Sequence, residues 1–591
     1  MRKSADTEEM VIRLISTGCG FRSSRLRFAA ALVAMALGST QSARAGLDLP
    51  GYVPCFPGSG GSLSTDAADA LTVTIDTEDR RQTIRNFGAS DAWSIQFIGR
   101  WPLVKRKAIA DLLFESGLDK ANDPRGIALS AWRFNIGAGS SRRDDIEDVW
   151  RRADTFYNED FTEYDWTRLP GQRWFLQAAA ERGVTHRTAF VNSPPITMTK
   201  NGKAHPDASS GTTNLADGME TAFARYLADV LAHFRARECI AFTEISPVNE
   251  PQWDWENGTQ EGNRYSNSDI KRVVAALAAQ DLGGARIEIP EAGDISSLYS
   301  DDYRDYIDAF YDPASPDYLG DVLGHTIAAH SYWSDHPRGG LVTQRARLRA
   351  KLDGYPGLEY AMSEYAILGG YGWGRDLGIA PALYIARTAH YDLTVAEASS
   401  WQWWLAVSPY DWKDGLVYTD YETADGDFYE SKMLWAVGNF SRFIRPGMVR
   451  VGVSRSDGST PAQDVTNLMV SSYFDEIRNI VVVVFVNWSG QSRNVQLDVQ
   501  GATIDSLIPY VTSAEADLAA YGELTPAEGI EIPGRSIVTL VGYDSEHFFC
   551  GDGTCGADEN VTSCPSDCRR RGLVRPHKGH SPRPPNVCPG P

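Results

Sequence analysis

Long apolar runs are missing from most of this chain. Beyond an N-terminal segment, no stretch reaches the ~18 continuous apolar residues of a membrane-crossing helix, so a soluble product is expected. Positive charge is also short: 57 Lys and Arg face 77 Asp and Glu, a net charge of −20. That balance excludes non-specific attraction to nucleic acid or to an anionic membrane as the basis of function. Cysteine is scarce, with 8 in 591 residues, and four of these crowd into positions 550–568. What the chain has in plenty is aromatic side chains, with 16 Trp and 25 Tyr. A large core would use some of them, yet many lie in polar, glycine-rich contexts at apparent strand ends. An indole face covers the C–H face of a pyranose while polar neighbours satisfy its hydroxyls, which points to a sugar cleft.

The length calls for several domains. Arg22, Arg25 and Arg27 precede the apolar run FAAALVAMALG, and SARA at 42–45 offers small residues for cleavage before Gly46. Residues 1–45 are therefore expected to be a signal peptide, giving a secreted, extracellular or periplasmic protein. Residues 46–64, rich in Gly, Pro and Ser, are expected to be an extended linker. LTVTID at 71–76 alternates like a strand whose partners lie far away, beyond residue 430, so residues 65–82 are expected to join a sheet that both chain ends build.

Over residues 83–425 the pattern is an apolar strand ending in polar or aromatic residues, followed by a helical period. The strand segments are NFGASDAW, IALSAWRFNIGAG, RTAFVNSPP, ISPVNEPQW, IEIPEAGD, IAAHSYW, EYAMSEYAI and SSWQWWLAV. Between them, QRWFLQAAAERG (172–183) and METAFARYLADVLAHFRAR (219–237) carry apolar residues at three and four spacing. Eight such units predict an α/β fold, a (β/α)8 TIM barrel with its active site at the C-terminal strand ends. Residues 426–545 turn to strands separated by turn formers, which predicts an attached β-sandwich. NWS at 487–489 is formally a glycosylation sequon.

Cys550, Cys555, Cys564 and Cys568 make 546–570 a Cys-rich segment, expected to hold two disulfides with three connectivities open. Zinc is the competing reading, against which stand the C-x4-C and C-x3-C spacings and an oxidising compartment. The acidic residues between the cysteines fit either Ca²⁺ or a solvated loop. The basic, Pro-rich stretch 571–591 is expected to be disordered, and Cys239 to be a buried free thiol near a helix end.

Two buried-looking strands end in carboxylic acids: Glu250 in ISPVNEPQWDW and Glu364 in EYAMSEYAILGG. Paired carboxyl groups are what glycoside hydrolysis requires, and strands four and seven of a barrel face each other across its mouth. Glu250, in an apolar, Trp-rich setting that favours its neutral form, is the candidate proton donor. Glu364 is the candidate nucleophile, with Arg133 at the end of strand two to hold its charge. Asn249 is a candidate for a sugar 2-hydroxyl, or else a turn cap. Tyr332 is placed to orient the nucleophile, whereas His330 is either a satisfied core histidine or a site residue. Trp93, Trp253, Trp333, Trp401 and Trp403 are candidate sugar platforms, and Glu291 is the rival carboxylate.

NFGASDAW, LSAWRFNIGAGS, FVNSPPITMTKNGK, SPVNEPQWDW, SEYAILGG and the WQWW strand together resemble glycoside hydrolase family 30 over roughly residues 65–545. The resemblance implies a retaining enzyme with Glu250 as acid/base and Glu364 as nucleophile, and no metal or organic cofactor. Strands two and eight resemble the branch holding bacterial O-glycosyl hydrolases and fungal endo-β-1,6-galactanases. The expected partner is a polysaccharide or oligosaccharide, with no nucleic acid and no membrane. A secreted endo-β-1,6-galactanase is the leading expectation. A xylanase or β-1,6-glucanase of the same family, and a non-catalytic carbohydrate-binding protein, are the alternatives.

Overall fold

The computed structural model describes residues 60–545, apart from 67–69, 120, 144, 209–210, 257, 301–303, 337–339 and 369–370. The expected signal peptide, most of the linker, the Cys-rich segment and the basic tail lie outside the described residues. Cys239 is exposed at the end of its helix and is disulfide-bonded, which corrects the expectation of a buried free thiol. The run FRARE before it carries charge on most sides, so the helix end stays at the surface.

Each of the eight apolar segments forms a barrel strand. In order they are Asn86–Ser90, Ala131–Asn135, His186–Phe190, Glu244–Ser246, a fifth in two pieces (Arg286–Ile287 and Pro290–Ala292), Thr326–His330, Glu359–Glu364 and Ser400–Ser408. All pair in parallel with their neighbours, and the eighth pairs with the first, so the sheet closes through residues 286–292. A helix follows each strand. The helix Pro170–Glu181 begins on a proline at its first turn, where the missing N–H has no intrahelical partner to lose. Glu220–His233 runs into a π-helical turn, Phe234–Glu238. Asn267–Ala278 starts at a Ser266–Asp269 capping box and buries Ile270, Val273, Val274 and Leu277, one face at helical spacing.

The second sheet is built from both chain ends. The strand Leu71–Thr83 lies between Val449–Arg455, antiparallel to it, and Arg493–Gln500, parallel to it. The sheet continues through Leu468–Asp475, Ile480–Asn487, Ser536–Tyr543 and Ser506–Thr512. The run IVVVVFVN is apolar without alternation because both its faces are covered. Val481, Val483 and Phe485 enter the core between the sandwich layers. Val482, Val484 and Val486 belong to the core shared with the barrel helices. Asn439, on the helix Lys432–Ser441, donates to Thr539 Oγ1 at 3.0 Å and so pairs a buried polar group across that junction.

Asn487 of the formal sequon is fully buried and cross-links a turn. Its amide donates to the carbonyls of Gln491, Ile532 and Pro533 at 2.9, 3.1 and 3.0 Å. The sequence NWS is therefore structural at this position. Asn487→Ala, which strands those carbonyls, is expected to lower stability by about 1–3 kcal/mol in a denaturant melt. An unchanged midpoint would contradict this role.

Candidate active site

Glu250 lies four residues beyond the short fourth strand, in a turn where its φ is +43°. A non-glycine residue in the left-handed region needs backbone contacts to hold it there. Glu250 has them on both sides. Its N–H donates to the carbonyl of Glu291 at 2.8 Å, and its own carbonyl accepts from Trp253 N at 3.2 Å and Trp255 Nε1 at 3.1 Å. The two tryptophans of QWDW thus fix the backbone of the acid that precedes them. Glu364 closes the seventh strand just after a register shift at Met362, and pairs with His330 on the sixth. Irregular pairing of this kind re-aims a side chain at a strand end.

These carboxyl groups meet. One oxygen of Glu250, one of Glu364 and a ring nitrogen of His330 all lie within 4.8 Å of one another. That is the short spacing of a double-displacement site, not the ~6.5–9.5 Å that leaves room for a water in inverting enzymes. Arg133 Nη1 donates to Glu364 Oε2 at 2.7 Å, and the Tyr332 hydroxyl donates to Glu364 Oε1 at 2.9 Å. His330 is a site residue in this arrangement. Its Nδ1 is 2.9 Å from Glu250 Oε1, and its Nε2 is 3.2 Å from Glu291 Oε2.

Glu291, considered in the sequence only as a replacement for Glu364, completes the cluster from behind. It is fully buried, accepts from Ser363 Oγ, and lies 3.5 Å from Arg133 Nη2. Burial would raise its carboxyl, but Arg133 and His330 outweigh burial and hold it below the usual carboxylate range. Burial likewise opposes the charge on His330, yet Glu364, Glu250 and Glu291 hold the imidazolium well above the ordinary histidine value. Burial dominates at Glu250, and its carboxyl is raised. Glu250, His330 and Glu364 have a spacing that would also suit a metal ion. Both ring nitrogens of His330 already face carboxylate oxygens, of Glu250 and Glu291, which is the pairing of a double donor rather than of a metal ligand.

The pair opens on a cleft of about 440 Å³. Trp93, Trp253, Trp333 and Asn249 line it, as does Tyr332. Trp93 meets Trp404 edge-on at 5.3 Å, and Trp253 meets the rim residue Trp333 edge-on at 5.4 Å. The Asn249 side-chain oxygen is buried beside the cleft without a hydrogen bond among the described residues, open to a ligand donor. Trp401 and Trp403, expected as platforms, do not line it. Along the eighth strand alternate side chains point to opposite faces. Trp401 packs against Ile385, Ala386 and Ala389 of the helical layer and donates to Asp392 at 3.0 Å. Trp403 is enclosed and donates to the carbonyl of Asp414 at 2.7 Å. Gln402 and Trp404 take the opposite parity, with Gln402 reaching Asn86 inside the barrel and Trp404 lining the cleft. Sequence reasoning missed Trp404, which sits at a register shift between Trp403 and Leu405 against the first strand. It also missed Trp255, Trp412, Asp414 and Arg151, which come from loops without a period.

Comparisons with known proteins agree with the barrel fold. A solved conserved exported protein from Bacteroides fragilis is 34% identical, with a TM-score of 0.74 over 80% of this chain and 100% of that one. A structure of an endo-β-1,6-glucanase shares the fold at 16% identity and a TM-score of 0.59, over 80% of this chain and 94% of that one. The glucuronoxylanase XynC of Bacillus subtilis is 23% identical over 165 residues, which is 27% of this chain and about a third (34%) of that relative's length. The family model described as O-Glycosyl hydrolase family 30 matches residues 70–418, more than half of the sequence. On that match, and on the barrel that carries it, the chain belongs to glycoside hydrolase family 30.

Proposed function

We propose that this family 30 O-glycosyl hydrolase is an exported β-glycanase in which Glu250 is the acid and then the base, and Glu364 the nucleophile. The observation that carries the reading is the close approach of the two carboxyl groups at the floor of an aromatic cleft. In the first step Glu364 bonds to the anomeric carbon while Glu250 gives its proton to the departing glycosidic oxygen. In the second step Glu250 takes a proton from water, which attacks the same carbon and releases Glu364. Two inversions give net retention, the general property of the family.

The charged groups balance at both stages. Before reaction Arg133 and His330 face the carboxylates of Glu364 and Glu291, and the third carboxyl, Glu250, carries a proton. In the glycosyl-enzyme Glu364 is a neutral ester and Glu250 is ionised, so two cations again face two anions. The step moves charge from Glu364 to Glu250, which lie 3.5 and 2.9 Å from the same His330 Nδ1, without changing the total, and preorganised partners of this kind lower the barrier.

For the substrate, β-1,6-galactan is the leading reading, supported by the strand-two and strand-eight motifs. A xylanase or β-1,6-glucanase is the second, favoured by what the relatives are called. The test incubates the full chain with β-1,6-galactan, β-1,6-glucan and β-1,4-xylan, and follows the first-formed anomer by proton NMR. Cleavage of the galactan with a β-anomer appearing first is expected. An α-anomer would sink the mechanism, and binding of a glycan without cleavage would make the protein a carbohydrate-binding one.

A further inference from the structure

One acidic side chain in the cleft has no part in the two-step chemistry. Asp414 lies in the loop after the eighth strand, on the cleft wall with Trp93, Trp404 and Trp412. It is 2% exposed, and neither of its carboxylate oxygens has a well-aligned hydrogen-bond donor among the described residues, although the Ser408 hydroxyl lies close. Its backbone is fixed, since its carbonyl is the acceptor of the buried Trp403 indole. Folded proteins pair almost all such buried acceptors, and one left open at a cleft wall is disposed toward something that arrives later. Burial pushes this carboxyl up to about 6, against the opposing pull of the Ser408 hydroxyl, its own backbone N–H and the Arg151 and Arg375 guanidiniums. On the same cleft wall the Trp93 indole N–H is also buried, without a partner among the described residues, and the Arg151 guanidinium stacks over Trp93 and Trp412 at 4.8 and 5.1 Å.

We infer that Asp414 is a sugar-recognition residue, whose two carboxylate oxygens accept hydrogen bonds from neighbouring hydroxyls of a pyranose lying against Trp93, Trp404 and Trp412. Adjacent ring hydroxyls present two donors side by side, the match to a carboxylate that an isolated hydroxyl or an ether oxygen cannot make. The subsite therefore selects a sugar with a free vicinal diol, and the Trp93 N–H, without a partner among the described residues, supplies a donor for one of its acceptor oxygens. A site built to hydrogen-bond such hydroxyls rejects a sugar lacking them strongly, because its own buried groups are then left unpaired. The inference rests on the glycanase reading and adds what the cleft selects.

Asp414→Asn and Asp414→Ala in the full chain test it, with melting temperature and kinetics read together. Both variants are expected to melt about 1–3 °C above the parent, because an unpaired buried carboxylate is gone. Both are expected to lose about 100-fold in kcat/KM on the glycan the parent cleaves, chiefly through KM. Unchanged kcat/KM overturns the proposal, and so does a lower melting temperature accompanied by lost activity, since that marks a structural role. If the parent cleaves no glycan, the glycanase reading fails by itself. The thermal shift produced by galacto-, gluco- and xylo-oligosaccharides then decides for Asp414: a shift present in the parent and absent from both variants supports it, and a shift kept by the variants, or absent from the parent, overturns it.

Discussion

Glu364→Gln is expected to cut kcat/KM on every glycan by about 10⁴-fold or more, the loss typical of removing a nucleophile from a covalent mechanism. The amide keeps the shape of the carboxylate but cannot form the glycosyl ester. It also disturbs the cluster around it. Arg133 Nη1 and the Tyr332 hydroxyl both donate to the native carboxylate, whereas an amide offers one acceptor and one donor in their place. With Glu364 neutral, Arg133 and His330 face only Glu291 and Glu250, so Glu250 is drawn toward its charged form and less of it holds a proton to donate. Both effects act in the same direction. The measurement is the initial rate on the cleaved glycan, with circular dichroism and a thermal melt to show that the variant is folded. Glu364→Ala with added formate sharpens the test, because a small external carboxylate can enter the vacated space and restore turnover. Parent-like activity in Glu364→Gln would remove Glu364 from the mechanism.

The barrel was legible because each strand is an apolar run with both faces covered, and each ends where polar and aromatic residues begin. Glu250 and Glu364 followed from that rule together with the chemistry of paired carboxylates. Departures from regular pairing were less visible. The fifth strand breaks between Ile287 and Pro290, and Glu291 at φ +56° turns into the barrel behind His330. Nothing in IEIPEAGD announces that a second buried acid will share a histidine with the first. The WQWW strand held the right residue and its neighbours, but the register shift between Trp403 and Leu405 that accompanies the turn of Trp404 to the cleft leaves no mark in the sequence. Asp414 and Arg151 meet the cleft through loops, where position depends on contacts distant in sequence rather than on any local period. Likewise the sandwich valines lack alternation because the barrel helices cover their second face, a fact of tertiary packing.

Glu250→Gln is expected to separate the two steps that Glu364→Gln abolishes together. On polysaccharide, whose leaving group is an alcohol, loss of the general acid is expected to lower kcat/KM by about 10²–10⁴-fold. An aryl glycoside of the same sugar with an acidic phenol leaves without a proton, so its first step is expected to stay within about tenfold of the parent. Its second step loses the base that activates water, so the variant should release one equivalent of phenol in a burst and then turn over slowly. Azide needs no base and is expected to restore turnover by yielding a β-glycosyl azide. The pH profile supplies an independent sign. Burial raises the Glu250 carboxyl, and the parent needs it protonated, so kcat/KM on polysaccharide falls as pH rises through that raised value. In Glu250→Gln this alkaline limb is expected to vanish from the aryl glycoside reaction while the acid limb remains. An equal loss on both substrates, with no burst and no effect of azide, would show that Glu250 supports the site by position rather than by moving a proton.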